Sequence, residues 1–180
     1  MYRLWFTFII TLFSCFHSMT ATTHDKPFFF QHLTMEDGLS NNHVSAIFQS
    51  KYGILWLGTQ KGLNCYDGHN FRLYKKRDSS TANSIRGNGI KKILQDRDNN
   101  IWVQHEKGTD EINYITRNVR HGWAHDSIGK SVIDICTDYN QQLLILCDQE
   151  VWQYIKPSRS YKRLFTAPEN YSLFSLIKDK

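Results

Sequence analysis

The chain has 180 residues, 41% of them hydrophobic and 14% aromatic, with a formal net charge of +5. That length suits one ordinary domain, and the apolar share is enough to bury a core. The basic residues are scattered; the densest cluster, Lys75-Lys76-Arg77, is short and followed at once by Asp78, so a solvated loop is expected there rather than the coherent basic stripe of a nucleic-acid surface.

The N-terminus differs from the rest. Arg3 is the only formal charge before Asp25, and Leu4 to Phe16 is apolar apart from Thr7, Thr11 and Ser14. Small and polar residues follow from Ser18 to Thr23. A short basic start, an apolar stretch and a small-residue exit describe a secretory signal, assigned to residues 1–21 with cleavage near Ala21, although Met19 is not small. The stretch falls short of the roughly 20 apolar residues that a spanning helix needs. Leu12-Phe13-Ser14-Cys15 also resembles a lipobox, with Phe13 a poor fit. No second hydrophobic span follows, so the mature chain is expected to carry no anchor of its own.

The mature region, 28–180, is built on a repeat. Val44-Ser-Ala-Ile47 leads to Trp56, Ile90-Lys-Lys-Ile93 to Trp102, and Val132-Ile-Asp-Ile135 to Leu144, with a spacing of 12 residues in each copy. The copies start 46 and 42 residues apart, and a fourth start at Leu173-Phe-Ser-Leu176 lies 41 residues further on. Internal repeats of this length signal arrays such as propellers.

Each copy reads as four short strands. In the first, Val44 to Gln49 suits an inner strand, Ser50 to Gly53 a turn, and Ile54 to Thr59 a second strand with Trp56 placed in the core between neighbouring blades. Gln60-Lys61-Gly62 turns the chain into Leu63 to Tyr66, and Asp67-Gly68 is a hairpin signal leading to Phe71 to Tyr74. The high Trp, Tyr and Phe content fits half-buried pleated surfaces. The expected fold is therefore all-β, a partial β-propeller after the signal peptide. Its parts are a closing strand at 28–33, blades at about 44–74, 90–123 and 132–165, and the start of a fourth at 173–180. The third copy lacks the Trp and both glycines of the first.

Leu33-Thr-Met-Glu-Asp-Gly-Leu-Ser-Asn-Asn-His-Val44, then Ile54-Leu-Trp-Leu-Gly-Thr59 and Gly62-Leu-Asn-Cys-Tyr-Asp-Gly68, resemble the opening of a two-component regulator propeller. The likeness is dense over Phe28 to Tyr74, fair in the second copy and weak in the third. It implies a periplasmic sensor region which, in that family, is followed by a β-sandwich module, a membrane helix, a histidine kinase and often further output domains. Many members detect oligosaccharides, and Phe28 to Leu33 would complete the last blade of the ring. The sequence contains no kinase, receiver or DNA-binding segment, so no enzymatic activity is expected of it. The remaining blades and the kinase of a parent regulator are its implied partners, with a homodimer as a further one and no direct contact to nucleic acid.

Cys65, Cys136 and Cys147 contain no CxxC and read as small buried hydrophobes, with a Cys136–Cys147 pair as the alternative. His121 and His125 have i, i+4 spacing, but that geometry needs a helix, and Gly122 argues against one. Asp96-Arg-Asp-Asn-Asn100 opens like a calcium loop, yet its twelfth position is Lys107 rather than Glu, so a turn is expected. Arg86 and Arg120 form no evident arginine set of a propeller hydrolase, and no nucleophile–base constellation is visible. No cofactor or metal is expected.

Ligand binding is placed on the loops that precede the inner strands and join the second strands to the third. These carry Asn41, Asn42, His43, Gln60, Lys61, Asn88, Glu106 and Lys107, with Trp123 and His125 nearby. Amides, hydroxyls and an aromatic platform suit sugar rings; the alternative for Asn41 and Asn42 is a turn role. Two other functions stand beside a glycan-sensing fragment: a secreted propeller scaffold working by oligomerisation, and a fragment of a sialidase- or lyase-like propeller enzyme. Three blades alone would leave two faces uncovered, so the isolated chain is expected to associate.

Overall fold

A computed structural model describes residues 30–77, 83–124 and 130–177; the signal region 1–21, Phe28, Phe29, His125 and residues 178–180 lie outside them. The chain divides into Met1–His32 and Leu33–Lys180. Of the first unit only Phe30–His32 is described, and Phe30 is exposed. Phe30 to Leu33, the described part of the expected closing strand, forms no strand here.

The second unit is all-β: no helix occurs among the described residues. Its strands are β1 (Val44–Gln49), β2 (Leu55–Thr59), β3 (Gly62–Tyr66), β4 (Phe71–Tyr74), β5 (Ile90–Gln95), β6 (Ile101–His105), β7 (Gly108–Ile112), β8 (Val119–Ala124), β9 (Val132–Thr137), β10 (Leu143–Cys147), β11 (Glu150–Ile155) and β12 (Ser160–Thr166). They form three four-stranded antiparallel meanders, β1-β2-β3-β4, β5-β6-β7-β8 and β9-β10-β11-β12. Leu173 to Ile177, the described part of the fourth copy, form no strand, although the Leu176 N–H donates to Asp134 on the inner strand β9 at 2.8 Å.

Strand alternation assigns each side chain to one blade face. In the first sheet Phe48, Trp56, Cys65 and Arg72 stand in register. Trp56 and Cys65 pack with Leu63 and Tyr74 against Ile90, Ile93, Val103 and Ile112 of the second sheet. In the second, Leu94 and Trp102 pack in the same way against Ile135, Ile145 and Tyr154 of the third. Both indoles are closed off by the following blade, with relative exposures of 0% for Trp56 and 1% for Trp102. Leu144, which takes the Trp position in the third copy, is only half-buried, since no complete sheet among the described residues covers its face.

Gly58 shows why the first copy needs its glycine. A Cβ there would lie 2.5 Å from Ile90 Cγ2, so a side chain would push the second blade away. The third copy does without the next glycine by changing its turn: Gly62 and Gly108 take φ of 126° and 125°, whereas the left-handed residue of the third blade is Asp148, at 51°.

The opposite face of the first sheet is partly covered by its own leader. The Ser40 N–H donates to Asn64 Oδ1 at 3.0 Å, the Ser40 and Thr59 hydroxyls lie 2.9 Å apart, and Gly38 packs close to Phe71.

Candidate functional site

The strand registers define two turn ends. Val44 opposes Thr59, Thr59 opposes Gly62 and Leu63 opposes Tyr74, so the leader into β1, the β2–β3 turn and the exit of β4 share one end. The same holds for the leader into β5, the β6–β7 turn and β8. The candidate ligand residues therefore gather at this end.

Their contacts divide them. Asn41 Oδ1 accepts the His43 N–H at 2.7 Å and Asn42 Oδ1 accepts the Met35 N–H at 3.0 Å, so both side-chain oxygens serve the turn. Asn88 Oδ1 likewise accepts the Lys76 N–H at 2.7 Å. Glu106 receives the N–H groups of Asn88 and Gly89 at 3.2 and 2.9 Å, which fixes the leader of the second blade. Gln60 Oε1 and Glu106 Oε2 flank Gly89, each close to where its Cβ would stand. His43, Gln60, Lys61, Glu106 and Lys107 have exposed side chains. Trp123 is the penultimate residue of β8, so its backbone reaches the same end.

A buried network that the sequence did not suggest lies below these loops. Asp110, fully buried on β7, accepts the Arg86 N–H at 2.8 Å and Arg86 Nε at 3.2 Å, and contacts His105 Nε2 and His121 Nδ1 at 2.9 Å each. Arg86 Nη2 continues to the carbonyls of Thr109 and Gly122 at 2.9 and 3.0 Å. Burial opposes ionisation of Asp110, but the hydrogen bonds from His105, the Arg86 N–H and His121 outweigh it and hold the carboxyl at about 2. The signal available was a repeat of position: Ser40–Asn64 and Arg86–Asp110 are the same backbone latch in successive copies, each tying a leader to the third residue of the third strand.

The His105–Asp110 pair does not resemble an activated base. The Lys107 N–H donates to His105 Nδ1 at 3.1 Å, which places the ring proton on Nε2 toward Asp110 and leaves neither nitrogen available. Arg86 and Arg120 stand apart, since Arg86 pairs with Asp110 and Arg120 with Glu111, neighbours pointing to opposite faces of β7. The Asp96 turn is closed by protein donors: Oδ1 accepts the N–H groups of Asp98 and Asn100 at 2.9 Å, and Oδ2 accepts Trp102 Nε1 at 3.1 Å. Among the described residues no group of three His, Cys, Asp or Glu side chains is placed to hold a metal. His121 lies on strand β8, not on a helix. Cys136 and Cys147 are unpaired with each other: Leu144 opposes Cys136 and Val132 opposes Cys147, so the thiols stand at opposite ends of their strands.

Three four-stranded meanders packed face to face through equivalent tryptophans are blades of a β-propeller. Residues 38–61 match the sequence model of the two component regulator propeller. A histidine kinase of Formosa agariphila is 43% identical over 68 residues, which cover 38% of this chain and 5% of that protein. The extracellular domain of a hybrid two-component system from B. thetaiotaomicron superposes with a TM-score of 0.65 at 28% identity, over 78% of this chain and 20% of that one. A catalytically inactive virginiamycin B lyase from Staphylococcus aureus superposes with a TM-score of 0.58 at 10% identity, over 78% and 47%, a likeness of fold alone. The chain thus has a β-propeller fold that carries a two component regulator propeller repeat at residues 38–61, and it spans a small part of the length of the regulators it matches.

Proposed function

We propose that this chain is part of the extracytoplasmic ligand-sensing propeller of a two-component regulator, and that it detects glycan fragments at the turn end carrying Gln60, Lys61, Glu106 and Lys107. The observation that carries this reading is the coincidence of the regulator repeat at residues 38–61 with blades that superpose on an extracellular regulator domain. Export through residues 1–21 to the periplasm belongs to the same proposal, as do the remaining blades and a kinase as partners. The chain itself acts as a binding module and does no chemistry. Its exposed amide, ammonium and carboxylate groups match the hydroxyl-rich surface of a saccharide.

Isothermal titration of the purified chain with an oligosaccharide panel tests the reading. Binding is expected to weaken about tenfold, the worth of one good polar contact, in Gln60→Ala and Lys107→Ala. Full affinity in both variants would move the ligand off this end, and no binding across the panel would overturn glycan sensing. Cell fractionation with N-terminal sequencing should find the chain in the periplasm beginning after Ala21; a cytoplasmic chain retaining Met1 would overturn export.

A further inference from the structure

The opposite turn end holds a groove of about 330 Å³ between the first two blades, lined by Ile54, Cys65, Asp67, Phe71, Arg72 and Arg117, with Asn70 at its edge. This is near the lower limit of the roughly 300–1,000 Å³ that small-ligand pockets occupy. Two guanidinium groups reach it from different blades: Arg72 from β4 and Arg117 from the β7–β8 turn. Neither has a carboxylate partner within ion-pair distance among the described residues, in contrast to Arg86, Arg120 and Arg163.

Arg117 is fixed by stacking rather than by pairing. Its guanidinium lies 4.7 Å from the Tyr114 ring centroid and 5.7 Å from that of Trp56, and Nη1 lies 3.9 Å from Cys65 Sγ. Stacking holds the plane and leaves N–H donors at its edge. Both arginines act on the same thiol: their charges favour ionisation of Cys65, against burial, which pushes that group up overall. The one acid in the lining, Asp67, directs Oδ1 at the N–H groups of His69 and Asn70, at 2.9 and 2.7 Å, and so is held by its own turn. Two positive charges against one negative leave the groove cationic.

The Asn70 amide offers a donor and an acceptor suited to a sugar hydroxyl, while the Phe71 ring turns to the opposite face of the first sheet, stacked on Tyr66 with centroids 4.6 Å apart. Resting on the sensor reading above, we infer that this groove is a subsite for an acidic saccharide, whose carboxylate or sulfate group bridges Arg72 and Arg117 while a ring hydroxyl reaches the Asn70 amide. Planar guanidinium forks suit such oxyanions bidentately.

The test is titration of the purified chain with glucuronate, galactose 6-sulfate, glucose and inorganic sulfate. An acidic sugar is expected to bind about tenfold more tightly than glucose or sulfate, and Arg72→Gln to remove that advantage. Arg72 is exposed, so the variant should keep its fold, as circular dichroism would verify; Arg117→Lys, which keeps the charge but loses the fork, should weaken binding partially. Equal binding of glucose, equal binding of sulfate alone, or unchanged affinity in Arg72→Gln would each overturn the subsite. A neutral oligosaccharide that binds the chain while both acidic sugars are inert would remove this site and leave the sensor reading standing.

Discussion

Ser50 and Asp96 hold the same turn position in successive blades, yet Asp96 accepts the indole N–H of Trp102 at 3.1 Å while Ser50 Oγ and Trp56 Nε1 are buried with no hydrogen-bond partner among the described residues. The turns otherwise match, since the Ser50 N–H donates to the Ile54 carbonyl at 2.9 Å and the Asp96 N–H to that of Asn100 at 3.0 Å. Serine is too short to span the distance that aspartate bridges. Unpaired buried polar groups cost stability, so the first blade carries a defect that the second has repaired.

Ser50→Asp should therefore stabilise the chain by about 1 kcal/mol, and Asp96→Ser should destabilise it by about 1–3 kcal/mol. Urea unfolding of the two variants measures both effects. A loss of stability in Ser50→Asp would mean that the first turn cannot offer the backbone donors that surround Asp96.

The second prediction concerns acid. Asp110 ionises at about 2 in the folded chain against an ordinary 3.8, because it is held by His105, Arg86 and His121. A depressed carboxyl contributes its stability above the unfolded value and loses it as pH falls through the folded one. Stability should thus be fully present above about pH 4 and decline between about pH 4 and 2, by roughly 2 kcal/mol for this group. Unfolding curves across that range should show the decline, and Asp110→Asn should flatten it while lowering stability at pH 7, where Arg86 loses its charge partner. An unchanged acid limb in that variant would remove Asp110 from the account.

The architecture was legible because the inner register of 12 residues places Trp56 and Trp102 on the same face of successive blades, and strand alternation has only two faces to choose from. The third blade was harder to read: Leu144 replaces the indole, and Asp148 rather than a glycine turns the chain. The site was less legible still. Asn41, Asn42 and Asn88 look like ligand-binding amides in sequence, but which of them spends its oxygen on a backbone N–H depends on loop geometry. Asp110 was invisible because its partners Arg86, His105 and His121 come from three separate segments that only the sheet unites.

The cysteines give a third prediction. Intact-mass analysis under non-reducing conditions should show no Cys136–Cys147 bond, since the register keeps the thiols apart. Burial and the nearby Asp148 push the Cys147 thiol up to about 12, so it should resist alkylation at neutral pH, where the reactive thiolate is scarce. Rapid labelling of Cys147 in the folded chain would show that the core between the second and third blades opens readily.

The last prediction concerns association of the chain when expressed alone. Each blade buries its two faces against neighbours, and among the described residues no complete sheet stands against the outward faces of the first and third blades. Ile47 on β1 is 70% exposed and Phe165 on β12 is 51% exposed. Exposed apolar surface and unpaired strand edges favour self-association. Light scattering should find oligomers at concentrations where an ordinary domain is monomeric, and thermal unfolding should be broad. Ile47→Lys with Phe165→Glu should reduce the oligomer, because charge on both faces opposes their contact. A monodisperse wild-type monomer with a sharp transition would show that the uncovered faces are stable in water.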